Sequence, residues 1–366
     1  MASTELHKLS IIIPILNERE NIKPLIAAII KHVPETMSPC EIIFVDDGST
    51  DGSRDVLDDI VREDSRVNKL FRAGHKSLSQ SVLDGFRIAK GKILVVMDGD
   101  LQHDPKYIPL LYTSCMESDG ISLASRYIDE GKGFARNSPR YMVSRFSTML
   151  VRVLLGVRVS DPMTGFFAVR RTVFDKITGS LSGVGYKILL EIIYNSQASG
   201  VKAHKIGEVP FVFAKRRQGE SKASVKIFYQ FLCQVMALLL RVRSVEFISF
   251  CIVGTIGVVV HLAVLNMALL TGFNFHLANI FALIIAATHN YVLNLYFTFS
   301  DIRDKPNTQF RSWILYLLAS GVSMISNTSV ASMIHTTVGW VNIASICGII
   351  VGIIWNYSVG RYLLKS

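Results

Sequence analysis

The chain has 366 residues with a formal net charge of +10, and half of its residues are hydrophobic. Hydrophobicity rises sharply after about residue 243, so the basic charge lies mostly in the first two-thirds of the chain. This division favours anionic lipid headgroups or phosphate substrates over nucleic acid, and no helix-turn-helix, zinc-finger or RNA-binding signature is present. The five cysteines form no CxxC pair, which is typical of a reduced, cytosolic setting.

Strands and helices alternate through the first hundred residues. Strands are predicted at 9–14, 41–45, 69–71 and 93–97, and helices at 21–32, after the acidic turn 46–53, and at 79–89. Strands that alternate with helices form βαβ units with right-handed crossovers. We therefore expect an α/β fold with a Rossmann-like, mostly parallel sheet.

Two carboxylates follow the fourth strand, an apolar run from Ile93 to Met97 that is typical of a strand buried in a parallel sheet. They are Asp98 and Asp100, with the carboxamide of Gln102 close behind. Ligands collect at the carboxyl ends of such strands, and oxygen ligands suit Mg²⁺ or Mn²⁺. We predict a metal site formed by these three side chains; the alternative is a turn with two solvated acids.

The first and second strands end near further polar groups. Pro14 and Glu18 follow the first strand, and Phe44 and Asp46 close the second. Because the strand ends meet at one edge, we expect a nucleotide pocket there. Neither GxGxxG nor a Walker GxxxxGK[ST] motif is present, so a cation must stabilise the diphosphate. This favours an enzyme that uses a nucleotide sugar over a dehydrogenase or an ATPase.

Several ordered motifs within residues 9–222 resemble glycosyltransferase family 2. They are SIIIPILNERENI, EIIFVDDGSTDGS, VVMDGDLQHDP, ASRY, DPMTGFFAVRR, GYKILLEI and RRQGESKAS. Within that family they are similar to the dolichyl- or polyprenyl-phosphate mannose synthases, and this resemblance implies a GT-A fold. The chain departs from the family pattern at Leu16, where an aromatic residue is common, and at Ser77, where glycine is common.

The resemblance also implies roles for particular residues. Asp98, Asp100, Arg126 and Arg140 would be catalytic. The residues implied for donor binding are Pro14, Leu16, Glu18, Phe44, Asp46, Asp98, Gly99, Asp100, Arg216 and Lys222.

Arg126, Arg140 and Ser144 are implied to hold the acceptor phosphate. On spacing alone, Arg140 and Ser144 lie four residues apart near a helix start, which fits either phosphate binding or a solvated basic helix end. We interpret Asp161 as a turn-stabilising acid, with a partnership to the basic cluster as the alternative.

The loop with Arg216 and Lys222, and the pair Lys187 and Glu191, can each be explained without a role in catalysis. The loop with Arg216 and Lys222 could close over the donor diphosphate, or could be a linker that adheres to anionic lipid. Lys187 and Glu191, four residues apart on a predicted helix, fit a surface ion pair.

The last third of the chain is predicted to enter the membrane. We divide the sequence into a cytosolic catalytic domain (1–225), an interfacial helix (226–244) and a transmembrane domain (245–366). Transmembrane helices are predicted at about 247–270, 275–299, 313–334 and 341–357. Lys and Arg lie in the connection 300–312 and the tail, so the positive-inside rule puts these and the catalytic domain on the cytoplasmic side of a multi-pass protein.

The membrane half contains a repeat. Residues 277–291 match residues 343–357 at an offset of 66, since 343 − 277 = 66. Repeated two-helix units form a pseudo-twofold bundle, and the segments resemble the GtrA-like membrane domain. For the intramembrane polar residues we favour interhelical hydrogen bonding over a direct functional role; they are His261, Asn266, His289, Asn290, Asn294 and Asn327.

The resemblance implies transfer of mannose from GDP-mannose to dolichyl or polyprenyl phosphate, with Mg²⁺ or Mn²⁺ and inversion at the anomeric carbon. The acceptor phosphate is already an anion near neutral pH, so no general base is required and His103 is interpreted as structural. The alternatives are a UDP-glucose-dependent transferase and a lipid-linked-sugar flippase with a non-catalytic transferase domain. A processive polysaccharide synthase is disfavoured because no QxxRW motif occurs.

Overall fold

The computed structural model describes residues 8–73, 77–128, 139–183, 188–200, 205–212, 225–242, 244–298, 310–322, 353–359 and 362, without the side chains of 139–141, 225–227, 275, 276 and 279. The chain divides into two compact units, Met1–Arg243 and Ser244–Ser366. The prediction that a separate interfacial segment begins at 226 stays a prediction.

The first unit contains a seven-stranded sheet with helices between its strands. The strands are β1 (Leu9–Ile15), β2 (Cys40–Asp46), β3 (Val67–Phe71), β4 (Ile93–Val96), β5 (Ile121–Ser125), β6 (Phe167–Arg170) and β7 (Gly207–Pro210). The helices are α1 (Arg19–His32), α2 (Ser53–Glu63), α3 (Leu78–Ile88), α4 (Ile108–Glu117), α5 (Pro139–Leu155), α6 (Arg171–Ile177), α7 (Ile188–Ala198) and α8 (Val225–Leu239). The α/β prediction is confirmed.

The sheet is mixed, with the strand order β3-β2-β1-β4-β6-β5-β7. β4 pairs in parallel with β1 but antiparallel with β6, and β6 is also antiparallel to β5. The predicted mostly parallel sheet is confirmed, and β6 is the antiparallel strand among the seven described. Because β6 runs in the opposite direction, its first residue lies beside the last residues of β4, and residues 161–166 reach the edge where β1 and β4 end.

Apolar layers cover both faces of this sheet, which explains the unbroken hydrophobic runs of its central strands. One layer contains Ile12, Ile43, Val45, Leu94 and Val96. The other contains Ile11, Ile13, Phe44, Ile93 and Val95. Helix α8 buries Phe231 and Val235 in the first of these layers, so it is a packed part of the catalytic unit as well as an apolar helix.

The second unit contains α9 (Val245–Leu270) and α10 (Phe275–Leu293), and α10 continues as a π-helix over Asn294–Thr298. Within the described residues, two helices are long and apolar enough to cross a bilayer, Val245–Leu270 and Ile280–Thr298. A shorter apolar helix covers Phe310–Val322. The predicted spans at 313–334 and 341–357 lie partly outside the described residues.

The repeat appears as reciprocal aromatic packing in this unit. The rings of Tyr291 and Tyr316 lie 5.6 Å apart, and those of Phe250 and Tyr357 lie 5.5 Å apart. The offset of 66 relates both pairs, because 357 − 291 = 66 and 316 − 250 = 66. The second helix of each repeat thus packs on the first helix of the other, as a pseudo-twofold arrangement requires.

Polar side chains form hydrogen bonds between helices of this unit. This agrees with the prediction, since an unpaired polar group in lipid costs free energy. Asn294 Nδ2 donates to Tyr316 Oη at 3.3 Å, and Asn294 Oδ1 accepts from Thr298, which bonds Ser249 at 2.7 Å. Asn266 differs, because its amide donates to Leu262 O of the same helix. Asn327 lies outside the described residues.

Candidate functional site

A cavity of about 360 Å³ opens at the carboxyl edge of the sheet. Its walls come from the ends of β1, β2 and β4, the segment before β6, and helices α3 and α7. Its lining includes Pro14, Leu16, Glu18, Asp98, Gly99 and Asp100. The structure therefore brings together six of the residues that the sequence pointed to for donor binding, although they are far apart in the chain.

His103 forms a hydrogen bond with the backbone of Asp98. The ring Nδ1 accepts a hydrogen bond from the Asp98 N–H at 2.9 Å, and Nε2 lies 3.6 Å from Asp98 Oδ2. His103 is buried and stacks on Phe166 with ring centroids 5.0 Å apart. This arrangement agrees with a structural role for His103, because the ring holds the backbone of Asp98 and has little exposed surface.

Two glycines let the backbone approach the acids closely. A Cβ on Gly99 would lie 2.8 Å from Ile15 Cγ2, so β4 can continue beside β1 only without a side chain there. A Cβ on Gly165 would lie 3.2 Å from both carboxylate oxygens of Asp98. The DPMTG motif thus supplies a residue that fits over Asp98, a function that sequence analysis had missed.

The carboxylates at the end of β4 suit a divalent cation. Asp98 and Asp100 both line the cavity, and Asp100 Oδ1 accepts from the Gln102 N–H at 3.1 Å, which tightens the turn. No group of three His, Cys, Asp or Glu side chains that could hold a metal occurs among the residues described. A cation here would therefore need the Gln102 carboxamide, water or substrate oxygens as further ligands.

Hydrogen bonds connect the loop after β1, residues 17–20, to the acidic loop after β2, residues 46–53. Asn17 has a φ of 59°, its N–H donates to Ser49 Oγ, and its Oδ1 accepts from the Thr50 N–H at 2.8 Å. The Glu18 N–H donates to Ser53 Oγ at 3.2 Å. These bonds fix Glu18 at the cavity rim and explain why small polar residues follow β2.

Two residues implied for donor binding, Phe44 and Asp46, lie outside the described cavity lining, and their role in donor binding stays a prediction. Phe44 is fully buried in an apolar layer of the sheet. Asp46 is also fully buried, because its carboxylate accepts from the Ser49 N–H at 3.1 Å and from Arg54 Nε at 2.6 Å. Asp46 organises the turn, and the next acid, Asp47, lines the cavity instead.

Asp47 was missed because two adjacent acids after a strand look equivalent in a sequence. Its carboxylate accepts from Arg72 and, at 2.6 Å, from the Ser77 N–H. Burial raises the pKa of Asp47, and the charge and hydrogen bonds of Arg72 and Ser77 oppose this effect. Asp47 therefore joins the ends of β2, β3 and α3 at the cavity wall.

Arg126 is clamped by a buried acid. Its Nε and Nη2 donate to the two carboxylate oxygens of Asp161 at 2.7 and 2.9 Å, and Asp161 is fully buried. The favoured interpretation of Asp161 as a turn acid was wrong, because the turn uses its backbone carbonyl. Burial acts to lower the pKa of Arg126, but the bonds and charge of Asp161 outweigh it and raise that pKa.

Ser144 lies near this ion pair. Its Oγ hydrogen-bonds Tyr127 Oη at 2.6 Å, and the Tyr127 ring stacks under the Arg126 guanidinium at 5.5 Å. Arg140 is in the first turn of α5, but its side chain lies outside the described part of the structure. Arg216, Lys222 and Lys187 lie outside the described residues.

Helix α5 also carries an exposed apolar stripe, defined by Met142, Phe146, Met149 and Val153. Their spacing of three or four residues puts them on one face, and each is between 53% and 69% exposed. Arg145 and Arg152 are exposed on the same helix. Apolar and basic groups side by side are typical of a surface that meets anionic lipid.

Comparison with known proteins agrees with both units. Residues 10–178 match the model of glycosyl transferase family 2, and residues 249–364 match that of the GtrA/DPMS transmembrane domain. The dolichol-phosphate mannosyltransferase of Pyrococcus furiosus is 32% identical over 363 residues, which cover 98% of each chain. The enzyme of the same name from Saccharomyces cerevisiae is 37% identical, over 63% of this chain and 86% of its own.

A third relative, the dolichol-phosphate mannosyltransferase of Mycosarcoma maydis, is 34% identical over 63% of this chain and 78% of its own. A GT-A catalytic domain joined to a GtrA/DPMS membrane domain defines a membrane-associated hexosyltransferase. The chain belongs to the dolichol-phosphate mannosyltransferase family, since its similarity to the Pyrococcus furiosus member runs through both domains.

Gly165→Ala tests the close fit over Asp98. The added methyl lies 3.2 Å from both carboxylate oxygens, so we expect the Asp98 carboxylate to shift from its position. We expect about tenfold weaker Mn²⁺ binding and hexosyl transfer, with an unchanged unfolding temperature. Gly179→Ala is the matched control, since nothing lies within 4 Å of its added methyl. Equal Mn²⁺ affinity in the two variants would contradict the assignment.

Proposed function

We propose that the protein transfers mannose from GDP-mannose to dolichyl or another polyprenyl phosphate. The observation that carries this proposal is the full-length similarity to a dolichol-phosphate mannosyltransferase, with both acids of the DGD motif in one cavity. The product would be a polyprenyl-phosphate mannose, used as a lipid-linked donor for glycosylation.

Asp98, Asp100 and Gln102 would hold Mg²⁺ or Mn²⁺, and the two cavity-facing carboxylates fit such an ion. When bound, the cation would neutralise charge on the donor diphosphate as it leaves. The protein's own contribution is orientation, because His103 accepts the backbone N–H of Asp98 and so fixes the turn that carries this carboxylate.

The donor would occupy the cavity with its nucleotide against Pro14, Leu16, Glu18 and Asp47. Gly99 lets the turn after β4 pass close to β1, because an added Cβ would lie 2.8 Å from Ile15 Cγ2. Arg216 and Lys222 would add positive charge near the diphosphate when their loop closes, as the family resemblance implies. Exclusion of water by this closure would protect the donor from hydrolysis.

The acceptor phosphate would be placed by Arg126, Arg140 and Ser144. Asp161 compensates the charge of Arg126 and fixes its guanidinium, so Arg126 presents a rigid group at the end of β5. A phosphate monoester loses its second proton near pH 6, so its oxygen can attack the anomeric carbon without a general base. The oxygen forms the new bond as the diphosphate leaves from the opposite face, which inverts the anomeric carbon.

The acceptor is a membrane lipid, and the α5 stripe supports contact between the catalytic unit and the bilayer surface. Its Met and Phe side chains would enter the headgroup region, and Arg145 and Arg152 would meet anionic headgroups. We propose a multi-pass protein whose catalytic unit, middle connection and C-terminus lie on the cytoplasmic side.

Asp100→Asn tests the proposed reaction. In vesicles with polyprenyl phosphate, we expect wild type to prefer GDP-mannose over UDP-glucose, and the variant to lose about 100-fold or more in kcat. The physical reason is the lost negative charge at the cation. Release of GDP and β-linked lipid-phosphate mannose would be measured by chromatography and NMR.

Asp59→Asn is the control, because Asp59 is exposed on α2 and forms a surface ion pair with Arg62. Preference for UDP-glucose would overturn the mannose assignment. Undiminished transfer by the Asp100 variant would overturn the metal assignment.

Replacing Phe146 and Met149 with Ser tests the lipid-facing stripe. We expect KM for polyprenyl phosphate in anionic vesicles to rise about tenfold, because two apolar anchors are lost. Turnover of a short, water-soluble prenyl phosphate should stay the same. Leu110→Ser is the control, since Leu110 is 53% exposed on α4, and an equal effect there would contradict the assignment.

A further inference from the structure

The cavity has two facing walls that are far apart in the chain. Ser77, Leu78, Ser81 and Val82 line one wall, at the start of α3, and Ile188 and Leu189 line the other, at the start of α7. A turn at Ser182–Gly183 connects the two walls. This turn forms hydrogen bonds with Ser77 at the start of α3 and with Glu191 of α7.

Ser77 binds this turn from the α3 side. Its Oγ donates to Gly183 O at 3.3 Å and accepts the Gln80 N–H at 3.3 Å as the N-cap of α3. Its own N–H donates to Asp47 Oδ2 at 2.6 Å. One serine therefore links the nucleotide end of the cavity to the turn that precedes α7.

Gly183 is seated on α3 without space for a side chain. It has a φ of +64°, and an added Cβ would lie 2.4 Å from Gln80 Oε1 and 2.8 Å from Leu83 Cδ1. Both the left-handed backbone and the close contact require glycine. The turn is thus fitted to the helix, and the hydroxyl bond from Ser77 lies within a packed contact.

Glu191 binds the same turn from the α7 side. It is only 3% exposed, and its Oε1 accepts the Ser182 N–H at 2.5 Å. Its Oε2 has no hydrogen-bond partner in the part of the chain that the structure describes. Burial raises the pKa of Glu191, and bonds from Ser182 and Gly183 oppose this. The surface ion pair expected for Glu191 was therefore wrong, because this residue points into the protein.

We propose that Ser77 and Glu191 are positioning residues that hold the Ser182–Gly183 turn between α3 and α7, and so fix the cavity width for the nucleotide sugar. The identity of the ligand rests on the proposed function, but the latch formed by these residues does not. Ser77 acts through its hydroxyl, since glycine at this position would keep only the backbone bond to Asp47. Glu191 acts as an acceptor, so glutamine can replace it.

The first test is ligand-free hydrogen exchange on the full-length protein in detergent. Ser77→Ala should raise amide exchange in peptides that cover residues 77–83 and 181–183, and Ser77→Thr should restore it. Ser199→Ala is the control, because Ser199 is exposed just after α7 and its Oγ donates to Asn195 O of that helix. Unchanged exchange in Ser77→Ala would overturn the latch, whatever reaction the enzyme catalyses.

The second test separates binding from turnover. Ser77→Ala and Glu191→Ala should each raise KM for the nucleotide sugar about threefold to tenfold with a smaller change in kcat, whereas Ser77→Thr and Glu191→Gln should stay near wild type. The double alanine variant should show no more than the larger single effect, because both residues hold one turn. Multiplicative effects, or losses in kcat alone, would contradict the proposal.

Failure of the proposed function and failure of the latch give different results. If wild type transfers no mannose from GDP-mannose, the proposed function fails, and hydrogen exchange still decides the latch. If wild type transfers mannose while Ser77→Ala behaves as wild type in exchange and in KM, the latch alone fails.

Discussion

The concentration of negative charge at the end of β4 is the constraint on which the site depends. Asp98 and Asp100 face one cavity, and Asp98 is held through its backbone by a buried histidine and covered by Gly165. Two carboxylates that line one cavity add like charges to it, which a nearby cation would neutralise. The surrounding structure keeps them in position despite these like charges, which is what a site built for a cation and a diphosphate requires.

The proposed acceptor site has the opposite problem, which is how to hold a positively charged guanidinium in a protein interior. Arg126 is nearly buried, and Asp161 binds it with two hydrogen bonds. Removing either partner would leave an uncompensated charge, whereas the pair together gives a fixed guanidinium. β6 makes this possible, because its antiparallel direction brings Asp161 and Gly165 to the same edge of the sheet as Asp98.

The fold class, the positions of the strands and the place of the DGD motif at the end of β4 could be predicted, because hydrophobic runs and strand ends are local signals. The antiparallel β6 could not, since direction within a sheet depends on which neighbour a strand finds. Asp46 and Asp47 could not be told apart, because only the turn geometry decides which one lines the cavity. Asp161 and Glu191 were misjudged for a related reason: a sequence shows charge, but burial and partners come from residues far along the chain.

The measurement that tests the central claim most directly is an anomalous-difference map at the manganese edge, from the full-length protein with Mn²⁺ and a nucleotide sugar. The account predicts one strong peak within coordination distance of Asp98 and Asp100, adjacent to the diphosphate. A nucleotide bound in the cavity with no peak beside these carboxylates, or a peak at another place in the catalytic unit, would contradict it.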